Sequence, residues 1–157
     1  MKIVLLMIGK TDETVYKQAV DDYKRRLNHY LPFEIIIIPD LKNTRNLSES
    51  QQKEKEGELI LKALQAGDYC VLLDEKGKEY TSAGFASYLE NKMSTVRKRL
   101  VFVIGGPYGF SSEVYKASPE RLSLSKMTFS HQMVRLLFTE QLYRAMSILS
   151  HEPYHHV

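Results

Sequence analysis

The 157-residue chain has one cysteine, no internal repeat, no low-complexity stretch and no linker-like segment. One cysteine cannot close an intrachain disulfide. Cys70 sits in the apolar run Tyr69-Cys70-Val71-Leu72-Leu73, where a buried, inert thiol is expected. Nothing implies an oxidising compartment. The longest apolar runs, such as Ile3 to Ile8, are far too short to span a bilayer, so no membrane is expected among the partners. Lys2 does precede an apolar stretch, but Lys10, Asp12 and Glu13 follow with no small-residue cleavage site. No signal peptide is expected, and a cytoplasmic location is. Charge is nearly balanced: 22 Lys+Arg against 19 Asp+Glu leave +3. That excludes a separate, strongly basic recognition domain. The length fits one domain, residues 1–157, which buries about 70% of its unfolded surface and needs neither disulfide nor structural metal.

What the chain does contain is alternation. Ile3 to Ile8 is a continuous apolar run closed by Gly9, the pattern of a strand buried on both faces. Residues 12–30 carry Val15, Ala19, Val20, Tyr23, Leu27 and Tyr30 at near-helical spacing, ended by Pro32. Phe33 to Ile38 is a second strand. Ser48 and Gln51 form a capping-box signature for a long charged helix running to about Ala66, with Gly67 as its stop. Tyr69 to Leu73 is a third strand, followed by the turn Glu75-Lys76-Gly77-Lys78. A helix over 81–93, a strand over 100–104, a glycine-rich turn Gly105-Gly106-Pro107-Tyr108-Gly109-Phe110, a short helix from Ser111 or Ser112, a short strand over 121–125 and a helix over 131–149 complete the pattern. Such alternation predicts an α/β fold with a mostly parallel sheet and helices on both faces. Ligands of such sheets bind at the carboxyl ends of the strands. The ends at Leu73-Asp74, Gly105-Gly106 and Ser125-Lys126 are richest in turn and polar residues.

Most familiar sites fail on spacing. A dinucleotide fingerprint would need glycine where Pro107 and Phe110 stand, and no Gly-Lys-Ser/Thr phosphate loop occurs. Without a ligand, the glycine turn would be a plain tight turn. A receiver-type magnesium site would need acidic residues where the first strand ends in Gly9-Lys10. Pro153 prevents His151 and His155 from aligning on one helix face, no third ligand is spaced to join them, and no metal is expected. Arg97-Lys98-Arg99 reads as a solvated loop and only weakly as a phosphate contact. The segment Leu122 to His131 is less ordinary. It passes from strand to helix through a mixed loop that could ring an adenine, with Met127 and Phe129 over its faces, although a plain connection would look the same. Arg135 and Arg144 then fall on a largely apolar helix. Each needs a partner: Glu140, another carboxylate or a phosphate.

These segments carry a resemblance. Phe102-Val103-Ile104-Gly105-Gly106-Pro107-Tyr108-Gly109, the run Leu122 to His131, and Glu140-Gln141-Leu142-Tyr143-Arg144-Ala145 with Pro153-Tyr154-His155 are together similar to the ribosomal large subunit methyltransferase H family, of the SPOUT class. Lys55-Glu56-Gly57 and the first strand's Gly9-Lys10 fit as well, so the likeness covers essentially the whole chain. It implies a C-terminal trefoil knot, an S-adenosylmethionine donor, a homodimer, and methylation of N3 of a pseudouridine in large-subunit ribosomal RNA. The donor-binding positions it implies are Leu73, Gly105, Leu124, Ser125, Lys126, Met127, Thr128 and Phe129, with Gly106 and Gly109 shaping the turn.

Transfer to N3 requires in-line placement and removal or stabilisation of an imide proton. His155 and Tyr154 are the expected base candidates, with Arg135 or Arg144 as electrostatic support. The tail of one subunit is expected to complete the site of the other. Two other readings stay open: a non-catalytic ribosome-associated binding protein of this fold, or a SPOUT enzyme with another RNA target such as transfer RNA. A dimer would carry twice +3, or +6, and with so small a chain the expected substrate is RNA already folded in the assembled ribosome.

Overall fold

The computed structural model describes residues 1–156. Its elements run β1 (Lys2–Ile8), α1 (Thr14–Leu27), β2 (Phe33–Ile38), α2 (Glu49–Ala63), β3 (Tyr69–Glu79), α3 (Ser82–Thr95), β4 (Arg99–Ile104), α4 (Ser112–Ala117), β5 (Glu120–Ser123) and α5 (His131–Leu149). The strands form one sheet in the order β2-β1-β4-β3-β5, and all four pairings are parallel. The continuous apolar runs explain the order. β1 and β4 sit centrally, and Ile3, Val4, Leu5 and Val101 to Val103 are fully buried. Their side chains alternate between two cores. One holds Leu5, Phe102, Phe85, Phe138 and Leu142 beneath α1, α3 and α5. The other holds Val4, Val101, Val103, Ile60 and Val114 beneath α2 and α4. Each such side chain contributes roughly 1.5–3 kcal/mol of burial.

Helix starts are set by local hydrogen bonds. Ser48 accepts from the N–H of Gln51, whose side chain accepts from the N–H of Ser48. Thr81, Ser111 and Ser130 accept in the same way at the starts of α3, α4 and α5. Some boundaries differ from the sequence reading: β5, expected over 121–125, spans Glu120–Ser123. α2 ends at Ala63, because Leu64 turns extended and packs on the core; Gly67, at φ +87°, instead serves the turn into β3. Arg99 is also not solvated. It holds the carboxylate of Asp68 through two bonds of 2.8 and 2.6 Å, tying the start of β4 to that turn.

β3 is longer than the apolar run suggests. Leu122 of β5 pairs with Leu73 and again with Lys78, so residues 74–77 bulge out before the ladder resumes. The expected turn is therefore a loop within one strand. Gly77 makes this possible, since a Cβ there would stand 2.6 Å from the backbone of Arg121 and Leu122.

From edge strand β5 the chain returns across the sheet to α5, whose start is fixed by Arg135. This residue is 1% exposed. Its guanidinium donates to the carbonyl of Ile8 at 2.7 Å and to the Thr11 hydroxyl at 3.1 Å. Among the described residues no carboxylate touches it, and its partner is the end of β1 instead of the acid or phosphate expected. Burial lowers its pKa, and the charges of Asp40 and Asp12 oppose the shift.

Gly77→Ala is expected to cost about 1–3 kcal/mol of unfolding free energy, because backbone cannot yield as a side chain can. Urea denaturation measures it, with faster amide exchange in β5 as the local sign. Arg135→Lys keeps the charge but cannot span both acceptors. It is expected to cost about 1.5–3 kcal/mol in the same assay.

Candidate functional site

A cavity of about 1130 Å³ opens at the carboxyl ends of β1, β4 and β3. Four stretches frame it: the loop after β2 with α2, the bulge of β3 at Leu73 to Lys76, the glycine turn after β4, and residues 128–131 leading into α5. The turn is built by close approach. A Cβ on Gly105 would meet the Phe110 ring at 2.9 Å, and one on Gly106 would meet the carboxylate of Glu56 at 2.4 and 2.5 Å. Gly109, at φ +83°, closes the turn by donating its N–H to the Gly106 carbonyl. These glycines therefore leave backbone, not side chain, facing the cavity.

Of the residues the resemblance names, Leu73, Gly105, Gly106, Thr128 and Phe129 line the cavity. Leu124 does not; with Phe129 it lines a second hollow of about 290 Å³, between α3 and the start of α5. Ser125 braces the loop between them. Its carbonyl accepts from the Ser123 hydroxyl, and its own hydroxyl accepts from the Met127 N–H. The hydroxyl of Thr128 donates to Glu75 across the mouth, at 3.3 Å. Lys126 and Met127 are exposed, Met127 by 76%. Among the eight positions that the resemblance implies for the donor, then, Ser125, Lys126 and Met127 form the loop itself, and the other five face one hollow or the other.

The four residues weighed for chemistry do not meet in one chain. His151, at φ +57°, reverses the chain after α5, and the tail folds back along that helix. There three of them join Glu140 in one network. Arg144 donates to Glu140 at 2.6 and 3.1 Å, the Tyr154 hydroxyl donates to it at 3.0 Å, and Arg144 donates to His155 Nδ1 at 3.0 Å. Tyr154 also bonds Tyr23 of α1 through its hydroxyl. Arg135 lies apart, beneath the cavity at the other end of α5. Val134 lines the cavity and Arg144 follows it by ten residues, a rise of about 15 Å along the helix.

The electrostatics separate the tail residues. Burial, with the bonds to Tyr23 and Glu140, drives the Tyr154 phenol far above its ordinary pKa. Such a phenol holds its proton and is a poor base. Arginine has no acceptor, so His155 Nδ1 must accept, and the proton of the neutral ring rests on Nε2. The cluster is therefore arranged to donate hydrogen bonds and positive charge. The Glu140 bond is the main reason the Arg144 guanidinium is raised above its ordinary value.

Several cavity residues escaped the sequence reading. Asp74 accepts from the Tyr115 hydroxyl at 2.5 Å; burial and then this bond push that phenol up to about 12. Glu56 is 3% exposed, one of its oxygens has no partner, and Gln52 approaches the other at 3.5 Å. Burial raises the Glu56 pKa; Gln52 opposes this and the charge of Asp40 adds to it. The sequence marked Glu56 only as part of the Lys55-Glu56-Gly57 element of the resemblance, with no role; a further signal is a carboxylate four residues before the buried Ile60, on the apolar side of α2.

With this geometry in place, comparison with known proteins is decisive. A family model described as "Predicted SPOUT methyltransferase" matches residues 1–155. A protein of Parabacteroides distasonis named "Ribosomal RNA large subunit methyltransferase H" is 70% identical over 156 residues, 99% of both chains. Proteins of the same name from Phocaeicola vulgatus and Bacteroides thetaiotaomicron are each 62% identical over the same span. A parallel α/β sheet with a glycine-framed cavity at its strand ends, matched nearly end to end by this family, means that the chain belongs to the SPOUT methyltransferases.

Proposed function

We propose that this chain, as a single SPOUT domain, transfers a methyl group from S-adenosylmethionine to N3 of a pseudouridine in large-subunit ribosomal RNA. It would act in the cytoplasm as a homodimer on the assembled ribosome. The observation that carries the reading is the cavity at the ends of β1, β4 and β3, where Leu73, Gly105, Gly106, Thr128 and Phe129 converge on one space. The relatives' shared name, ribosomal RNA large subunit methyltransferase H, supports the substrate class. The trefoil passage of the C-terminal segment belongs to the same proposal.

The residues suit the donor on two counts. The cavity exceeds the usual size of a small-ligand pocket, roughly 300–1,000 Å³. Its glycine turn and the loop at 124–130 offer backbone groups for the edges of an adenine, with the apolar ring of Phe129 beside them. When bound, the donor supplies a methyl on a sulfonium sulfur, already a strong electrophile. Leu73, the glycine turn and the loop then have to hold that methyl in line with N3 and exclude water.

Taking the N3 proton leaves negative charge on N3 and its flanking carbonyls. Cationic and N–H groups that meet this charge lower the barrier. In the tail, Arg144 and His155 Nε2–H offer both, while Tyr154 and Glu140 fix their positions. The N3 proton passes to water. Because the tail lies about 15 Å of helix from its own cavity, the tail of the partner subunit completes each site.

A radiolabelled methyl-transfer assay on intact ribosomes, free large subunits and transfer RNA, read by nucleoside mass spectrometry, tests the substrate. Label in N3-methylpseudouridine from the ribosome is expected; label only in transfer RNA would overturn the reading. His155→Ala is expected to lower kcat roughly 10²-fold with donor affinity unchanged. A rate equal to the wild type across pH would remove His155 from the chemistry. Co-refolding a Gly105→Trp chain, with its cavity blocked, and a His155→Ala chain is expected to recover roughly a quarter of wild-type activity if the tail acts across the dimer. No recovery would place tail and cavity in the same subunit.

A further inference from the structure

The geometry points to Glu56 as the residue that reads positive charge on the ligand in the large cavity. The inference rests on the donor-binding reading above and goes beyond it, since none of the positions implied for donor binding lies on α2. Glu56 belongs to the wall of the cavity and is 3% exposed, yet Oε1 has no hydrogen-bond partner and Oε2 has only Gln52 at 3.5 Å. Buried carboxylates are normally paired, because an uncompensated one is costly to desolvate. No lysine or arginine bonds it. Its oxygens lie over Gly106, where only the lack of a Cβ leaves them room. The same glycine that shapes the cavity thus makes space for an unsatisfied acid.

The surroundings give the sign of the missing partner. The cavity is lined by Asp40, Glu49, Glu56, Asp74 and Glu75, against Lys76 and His131 as the basic side chains. Such a wall repels phosphate and favours a cation. S-adenosylmethionine carries two, the sulfonium and the α-ammonium, and either would give Glu56 its partner. The buried position makes Glu56 a selector: it stabilises a charged ligand and offers nothing to a neutral one of the same shape.

Isothermal titration of wild type, Glu56→Gln and Glu56→Asp with three ligands tests this. S-adenosylmethionine has both cations, S-adenosylhomocysteine only the ammonium, and methylthioadenosine neither. Glu56→Gln is expected to weaken S-adenosylmethionine about tenfold or more and to leave methylthioadenosine within about twofold. S-adenosylhomocysteine identifies the cation: it weakens with the first ligand if the ammonium is read, and holds with the third if the sulfonium is. Glu56→Asp retains the charge and is expected to preserve part of the selectivity, a readout that stands even if the glutamine variant fails to fold. Equal weakening of all three ligands, or of none, overturns the proposal, as does a Glu56→Asp chain with no more selectivity than Glu56→Gln. If the wild type binds none of the three, the donor reading itself fails and the role of Glu56 falls with it. Normal wild-type binding with an indifferent Glu56→Gln overturns the role of Glu56 alone.

Discussion

The bond from Arg135 to the carbonyl of Ile8 sets the path of the last third of the chain. β5 is an edge strand, and β1 lies three places away across β3 and β4. Strand spacing makes that about 14 Å. Residues 124–130 must cover the distance without helix or strand, and seven extended residues reach at most about 25 Å. The loop is therefore drawn across the strand ends, where a ligand cavity is built. A guanidinium suits this tie because one rigid fork reaches both the Ile8 carbonyl and the Thr11 hydroxyl. The cost is a buried charge with no carboxylate in contact, eased by Asp40 and Asp12 at longer range.

The other side of the loop depends on contact between backbones. β5 is four residues long and pairs only with β3, which it meets on both sides of a bulge. That bulge projects Asp74, Glu75 and Lys76 into the cavity wall, while Gly77 lets the strand rejoin β5. One irregularity thus supplies ligand-facing side chains and anchors the loop that faces them. Behind β5, Glu120 accepts from Tyr69, Tyr88 and Lys92, which holds the edge strand against α3. The cavity is framed by rigid supports, as a site requiring in-line geometry demands.

The sequence made elements legible where the physics is local. The span of α5 follows from apolar spacing, and β2 from an apolar run between two prolines. It misled where partners are distant. Residues 74–77 look like a turn because they are polar and contain glycine; only pairing with β5 makes them the middle of a strand. Gly67 looks like a helix stop, but Leu64 leaves the helix earlier to reach the core. Arg99 looks solvated until Asp68 is placed beside it. A trefoil is the extreme case, because threading order leaves no trace in any local window. The place of the cavity was legible through the rule that parallel sheets bind at their strand ends, and the resemblance named five of the residues that line it. The separation of Arg135 from Arg144, Tyr154 and His155 was not, because it depends on which way the tail turns after His151.

That separation divides the electrostatic work. On the proposed function, an acid-lined cavity would favour a cationic donor and repel the phosphates of an RNA chain. The tail cluster has the opposite character: Arg144 and His155 present donors and positive charge, and Glu140 offsets only part of it. Lys10, Lys42, Arg45 and Lys126 are likewise exposed on loops that follow the strand ends. A net charge of +3 conceals this contrast, because acids gathered in the cavity cancel bases carried outside it. Were the tail to rest over its own cavity, the acidic wall would compete with substrate for Arg144. Glu140 and Tyr23 instead hold the basic cluster along α5. On the proposed function, it would there be free to meet the developing anion of a base presented at a neighbouring subunit's cavity, and a small domain would bind a cation and act on a polyanion because two copies share the task.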